Sequence, residues 1–324
     1  MDRLYVVVPC YNEEAVLPET SRRLAEKLRT LEAAGLIAAN SRILFVNDGS
    51  KDRTWEIIAG LHQQDPAMFS GVQLSRNRGH QNALLAGLTE AAKHADVIVS
   101  MDADLQDDIN AVDAMLEKYR GGCEVVYGVR SERKTDTAFK RMTAEGFYRF
   151  MQAMGVDIVY NHADYRLMSR RAVEALEQFS EVNLFLRGIV PLVGFKSDTV
   201  TYARGERFAG ESKYPLKKMI AFAMDGITSF SVKPIRLILS VGALVFLVSI
   251  AMLLYSLIRK LLGHTVEGWA FLACSIWALG GIQLLSLGVI GEYVGKIYNE
   301  TKRRPRFILA DVLDAAEDAA EKQA

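Results

Sequence analysis

Residues 96–108 read DVIVSMDADLQDD: a short β-branched run, then four aspartates, Asp102, Asp104, Asp107 and Asp108, in close succession. The run has the composition of a buried strand. Carboxylates crowded at the mouth of such a strand repel one another and lose hydration, so the cluster points to a cation among its members. Asp102 and Asp104 stand nearest the strand. Asp107 and Asp108 fit the start of a following helix, where carboxylates meet the positive end of its dipole.

Working outward, the same alternation recurs through the first 210 or so residues. Short β-branched runs at Leu4–Val8, Arg42–Val46, Gly71–Leu74, Asp96–Met101 and Glu124–Val129 predict strands. Between them, amphipathic patterns at Glu13–Leu31, Thr54–Gln64, Gly79–Lys93 and Asn110–Tyr119 predict helices. Alternating strands and helices give a doubly wound α/β domain with a mainly parallel sheet, in which ligands collect at the carboxyl ends of the strands.

Composition excludes little but narrows the class. Lys plus Arg and Asp plus Glu both total 39 in 324 residues, so nothing global draws the chain to nucleic acid. Cys10, Cys123 and Cys274 are far apart and lack CxxC spacing, which argues against a disulfide framework or a zinc site and for a reducing compartment. The apolar run before Cys10 is too short for a secretory signal, which places the start of the chain in the cytoplasm.

The C-terminal third has another solvent. Leu237–Ile258 and Gly268–Gly291 carry no charge and are each long enough to cross a hydrocarbon core of ~30 Å as a helix. Lys217, Lys218, Lys233 and Arg236 precede the first span, and Lys296, Lys302, Arg303, Arg304 and Arg306 follow the second. This predicts an integral protein of the cytoplasmic membrane with both termini inside. Residues 211–234 mix apolar side chains with lysines and read as an amphipathic membrane-surface segment. The tail from Asp311 reads as a frayed, solvated helix with no chemistry. The expected organisation is a domain over 1–210, a juxtamembrane segment over 211–234, two transmembrane helices over 235–292 and a cytoplasmic tail over 293–324.

Polar motifs end successive strands. In PCYNEE, Pro9 closes the first strand and Asn12 can begin a helix. In VNDGSKD, a turn at Asn47–Gly49 leaves the Asp48 carboxylate over the sheet edge. In SRNRGHQNALLAGL, Arg76, Arg78 and His80 surround a helix start at Gly79, a setting suited to a phosphate. Asp102 and Asp104 supply hard oxygen donors of the kind that bind Mg²⁺ together with substrate phosphates.

Taken in order, VVVPCYNEE, VNDGSKD, the Arg76–His80 stretch, MDADLQDD, YGVRSER, NHADYRLMSR, RFAGESKY and the paired spans resemble the inverting family 2 glycosyltransferases of GT-A fold, specifically the polyprenyl-phosphate glycosyltransferases. The resemblance implies a GT-A, Rossmann-like domain ahead of membrane-surface helices and two transmembrane helices. It implies transfer of a single sugar, glucose or an N-acetylhexosamine, from a UDP-linked donor to polyprenyl (undecaprenyl) phosphate, with Mg²⁺ or Mn²⁺. On matching positions, Pro9, Tyr11, Glu13, Asp48 and Asp102 would hold the donor nucleotide. Asp102, Asp104 and Asp164 would be catalytic, with Asp104 the direct metal ligand. Arg130, Arg207, Ser212 and Lys213 would take the diphosphate or the acceptor phosphate. Asp164 either orients the acceptor or acts as base. Membrane lipid is a further partner, nucleic acid is not, and a homo-oligomer is left open. Competing readings are a processive polysaccharide synthase, although no tryptophan stands in a QxxRW motif, and a non-catalytic nucleotide-binding membrane adaptor.

Overall fold

The computed structural model describes residues 1–131, 154, 162–182, 184–203, 205, 227–229, 231–262 and 268–314. Among these, residues up to 131, 162–205 and 304–314 form one compact unit, and residues 227–303 belong to a second.

The first unit is built on an eight-stranded sheet of order β7-β5-β6-β4-β1-β2-β3-β8. Its strands are β1 (Leu4–Cys10), β2 (Arg42–Asn47), β3 (Phe69–Leu74), β4 (Val97–Ser100), β5 (Val125–Arg130), β6 (His162–Ser169), β7 (Ser197–Tyr202) and β8 (Leu309–Leu313). β4, β1, β2 and β3 run parallel, as do β5 and β7. β6 is inserted antiparallel between β4 and β5, and β8 is antiparallel on β3. Every residue of β1 and β4 is buried, as expected of parallel strands covered on both faces.

The helices of this unit are α1 (Leu17–Ala33), α2 (Thr54–Gln64), α3 (His80–Ala92), α4 (Ala111–Arg120), α5 (Arg170–Glu177) and α6 (Leu186–Leu192). In α1, Leu17, Leu24, Leu28 and Leu31 recur at helical spacing and are buried, while Arg22, Arg23 and Glu26 face solvent. Leu24 and Leu28 join Met115 and Leu116 of α4 and Val6, Val8 and Phe45 of the sheet in one core. Each such leucine contributes about 1.5–3 kcal/mol by leaving water. α3 lies on the opposite face. Side chains alternate along β1, and Gly87 sits over Val7 and Val46, where an added Cβ would come within 2.5 Å of both side chains. A glycine there lets α3 approach the strands that end at the polar motifs.

The expected doubly wound domain is present, and the five expected strands correspond to β1–β5. Other elements differ from the reading. α1 begins at Leu17, because Asn12 adopts a left-handed conformation (φ 56°) and spends its polar groups on the β2–α2 loop. Pro9 lies within β1, in register with Val46, instead of closing it. From Asp311 the tail is not helical over its described part: residues 309–313 are β8, paired with the edge that β3 would otherwise present. Residues 315–324, and most of 211–234, lie outside the described residues.

In the second unit, α7 (Lys233–Leu261) and α8 (Trp269–Thr301) contain 29 and 33 residues. Stretches Lys233–Met252 and Ala278–Thr301 have mean hydropathies of 2.4 and 1.3, and their apolar windows contain no buried residue. Leu239, Phe246, Leu247, Leu284 and Leu285 are all exposed. These are two helices long and apolar enough to span a bilayer. Just ahead of α7, Ser231 accepts a hydrogen bond from the Lys233 amide (3.0 Å) through Oγ and one from Tyr293 Oη through its carbonyl (2.5 Å).

Candidate active site

At the carboxyl ends of β1 and β2 two loops are laced together. The amides of Asn12, Glu13 and Glu14 donate to Ser50 Oγ (3.0 Å), Thr54 Oγ1 (2.9 Å) and Asp52 Oδ2 (3.2 Å). In return Lys51 and Arg53 amides donate to Asn12 Oδ1 (2.9 Å) and Glu14 Oε2 (3.1 Å). Burial opposes ionisation of Asp52, but hydrogen bonds from the Thr54 hydroxyl and amide and the Glu14 amide outweigh it and hold the carboxyl below its usual range. Tyr11 remains 42% exposed at the tip of this assembly.

Asp48 does not project freely over the sheet. Its Oδ1 accepts from the Arg78 amide (2.6 Å) and its Oδ2 from the Gly79 amide (2.9 Å), so it grips the loop between β3 and α3. Burial raises its pKa despite those bonds. Gly49 is required beside it: its φ is +63°, and a Cβ would come within 2.5 Å of the Asn77 amide nitrogen. The Arg78 guanidinium in turn donates to the Pro305 carbonyl (2.9 Å), and the Ser75 amide to Ile308 (2.9 Å).

Beyond β4, Asp102 and Asp104 open a turn in which Leu105 takes a left-handed conformation (φ 59°). A branched side chain pays for that geometry, of order 1–2 kcal/mol, and such outliers gather at functional sites. Asp104 Oδ1 accepts from the Gln106 amide (3.1 Å). Burial pushes Asp102 up to about 6, His80 opposes the rise, and the carboxylates of Asp107, Asp164 and Asp104 add to it. Asp107 does not start a helix. It is buried, accepts from Tyr202 Oη (2.5 Å), and lies 3.4 Å from Arg130 Nη2. Asp108 is nearer the expected role, accepting from the Asn110 amide (2.9 Å) just before α4.

Asp164, at the start of β6, gathers cations from three elements. Its Oδ1 accepts from Arg166 (2.6 Å) and from Arg187 Nε (3.3 Å), and its Oδ2 from Arg187 Nη2 (3.1 Å). His80 Nε2, the first residue of α3, lies 3.5 Å from Asp164 and 3.7 Å from Asp102. Burial alone would raise the Asp164 pKa, but hydrogen bonding to His80 and the charges of Arg187 and Arg166 hold it well below the carboxylate range. Burial disfavours charging of His80, yet Asp164 and Asp102 together raise its pKa.

Asp102, Asp104, Asp164 and His80 are thus brought into one neighbourhood, with Arg130 held at its edge through Asp107. Pro9, Tyr11, Glu13 and Asp48 belong to the adjoining loops. Arg207, Ser212 and Lys213 lie outside the described residues. Arg187 and Tyr202 were missed: NLFLRG and DTVTYA carry no turn, cap or charge pattern that marks a site.

Residues 5–177 match glycosyl transferase family 2, and residues 233–297 match the GtrB C-terminal hairpin. The chain is 55% identical over 306 residues to the uncharacterized glycosyltransferase YkoT of Bacillus subtilis (strain 168), covering 94% of this chain and 90% of that protein. It is 40% identical over 311 residues to the bactoprenol glucosyl transferase of Shigella phage SfV, covering 95% and 98%. Among solved structures, glucosyl-3-phosphoglycerate synthase from Mycobacterium tuberculosis, in complex with Mn²⁺, UDP-glucose and phosphoglyceric acid, matches with a TM-score of 0.41 at 18% identity, covering 70% of this chain and 78% of that one. By the extent of the family match and the identity to these full-length relatives, the chain belongs to glycosyl transferase family 2.

Proposed function

We propose that the chain transfers one sugar, glucose or an N-acetylhexosamine, from a UDP-linked donor to polyprenyl phosphate with inversion at the anomeric carbon. One observation carries the reading: a family 2 domain and an apolar hairpin on one chain match a bactoprenol glucosyl transferase over 95% of the chain. A polyprenyl anchor stays in the bilayer, so its phosphate has to be met at the headgroup layer. Lys217, Lys218, Lys233 and Arg236 would hold the catalytic domain, residues 1–210, beside anionic headgroups through the juxtamembrane segment, residues 211–234. The hairpin, residues 235–292, would leave both termini and the tail, residues 293–324, in the cytoplasm.

Asp102 and Asp104 would hold Mg²⁺ or Mn²⁺, with Asp104 the direct ligand. The residues fit such an ion. They are hard oxygen donors, and Asp102 is crowded by three other carboxylates whose repulsion a cation relieves. Among the described residues no group of three or more His, Cys, Asp or Glu side chains is arranged for a metal, so phosphates and water would have to complete the shell of an ion held there. Bound there, the ion would supply positive charge to the departing diphosphate.

Pro9, Tyr11, Glu13, Asp48 and Asp102 would receive the nucleotide. Tyr11 offers its exposed ring, and Asp48 acts by shaping the loop whose amides it holds. Arg130 would meet a phosphate oxygen from its place beside Asp107. A phosphate monoester with a second pKa of about 6 is already a nucleophile at neutral pH and needs positioning more than deprotonation. Asp164, paired with two arginines, suits positioning; acting as base would require it to release them.

The test supplies membranes containing the protein with a panel of nucleotide sugars and undecaprenyl phosphate, and identifies the lipid product by mass. Asp104→Asn is expected to abolish metal-dependent formation of lipid-linked sugar. Full activity in that variant overturns the metal assignment, and nucleotide binding without turnover on any lipid phosphate favours the adaptor reading.

A further inference from the structure

The network around Asp164 divides by exposure. Asp164 and Arg166 have side chains 10% and 1% exposed, whereas Arg187 and His80 are 30% and 42% exposed. Anything entering from solvent therefore reaches His80 and Arg187 before it reaches Asp164. The carboxylate holds Arg187 through both oxygens and lies 3.5 Å from His80, while its shortest contact, 2.6 Å, is to the buried Arg166. Arg166 thus meets Asp164 from the buried side, and Arg187 and His80 meet it from the exposed side.

The two groups are also fixed in relative position. His80 opens α3, Arg187 lies in the first turn of α6, and the Gln81 side chain, next to His80, accepts a hydrogen bond from the Leu186 amide at 2.8 Å. Asp164 ties both to the start of β6. A guanidinium held beside an imidazole presents N–H donors to the oxygens of a phosphate, the same chemistry by which Arg187 takes the Asp164 carboxylate. A purely structural role for Asp164 is already served by Arg166, and needs no second arginine and histidine where water reaches.

We infer that His80 and Arg187 form an anion subsite for a phosphate group of one of the two substrates, with Asp164 as the positioning residue that holds them. The identity of the substrates rests on the function proposed above. The phosphate chemistry is shared by the donor diphosphate and the lipid phosphate, and the experiment separates them.

Full-length protein in membranes is assayed with UDP-glucose and undecaprenyl phosphate, and binding of UDP is compared with binding of uridine. Arg187→Ala is expected to raise the KM for one phosphate-bearing substrate about tenfold or more and leave the other within about twofold. His80→Gln should act on the same substrate, and Arg187→Lys, which keeps the charge without the fork, should give an intermediate rise. A change confined to the acceptor KM assigns the subsite to the lipid phosphate. A change in donor KM, with loss of the preference for UDP over uridine, assigns it to the diphosphate. If Arg187→Ala does not fold, Arg187→Lys and His80→Gln carry the test. A fall in kcat with both KM values unchanged, or effects of the two residues on different substrates, overturns the inference. If the wild type transfers no sugar to polyprenyl phosphate, the proposed function fails while the subsite is still read by binding. Loss in Arg187→Ala of either the UDP preference or binding of undecaprenyl phosphate then supports the subsite, and no change in either overturns it.

Discussion

Gly49 shows how one residue can set the separation of two loops. Its left-handed φ and the 2.5 Å approach of a hypothetical Cβ to the Asn77 nitrogen leave no room for a side chain, and the obstacle is backbone. Gly49→Ala is expected to destabilise the protein by more than about 1 kcal/mol, read as a lowered midpoint in denaturant, and to weaken UDP binding as the loop gripped by Asp48 shifts. An unchanged midpoint and affinity would show that the loop gives way freely. At this scale the sequence was a partial guide. The place of Asp102 and Asp104 just beyond a buried strand was legible because a short β-branched run that gives way to carboxylates marks a strand end. Asp107 was misread because an aspartate shortly before a helical pattern is the usual sign of a helix start, and its partners, Arg130 and Tyr202, come from strands far along the chain.

Among elements, the laced loops after β1 and β2 depend on ionised Asp52, which accepts from Thr54 Oγ1 at 2.6 Å. Its pKa is depressed in the folded protein, so its stabilising contribution is complete above the unfolded value of about 3.9 and is lost as pH falls through the lower folded value. The stability gap between wild type and Asp52→Asn should accordingly be constant near neutrality and shrink in acid, as followed by urea unfolding at a series of pH values. A gap that widens in acid would contradict this placement. The parallel strands were legible because burial on both faces leaves continuous apolar runs between polar turns. β6 was not, since Asp164 and Arg166 stand inside it and break the run; their burial is supported by mutual pairing, which a linear pattern does not display. β8 was hidden in the same way, its short ADVL core set in an acidic, alanine-rich tail.

For the whole molecule, placement of both termini on the cytoplasmic side is open to direct test. A fluorescent reporter that matures only in the cytoplasm, fused after Ala324, should be bright; a dark fusion made in normal amounts would reverse the proposed orientation. The two apolar helices were legible from composition, because an apolar stretch of some twenty residues leaves few alternatives. What composition could not reveal is that the chain beyond the second apolar helix belongs to the same compact unit as β1. The Arg42–Asp314 ion pair, at 2.6 Å, and the β3–β8 ladder make that return. It also sets an order of events during biosynthesis. The ribosome makes β3 early and β8 only after both apolar helices, so the nascent domain carries an open sheet edge throughout synthesis of the hairpin. Chains arrested at Arg303 should be cleaved by protease within the first 210 residues faster than finished chains, and equal resistance would show that the sheet matures without its last strand.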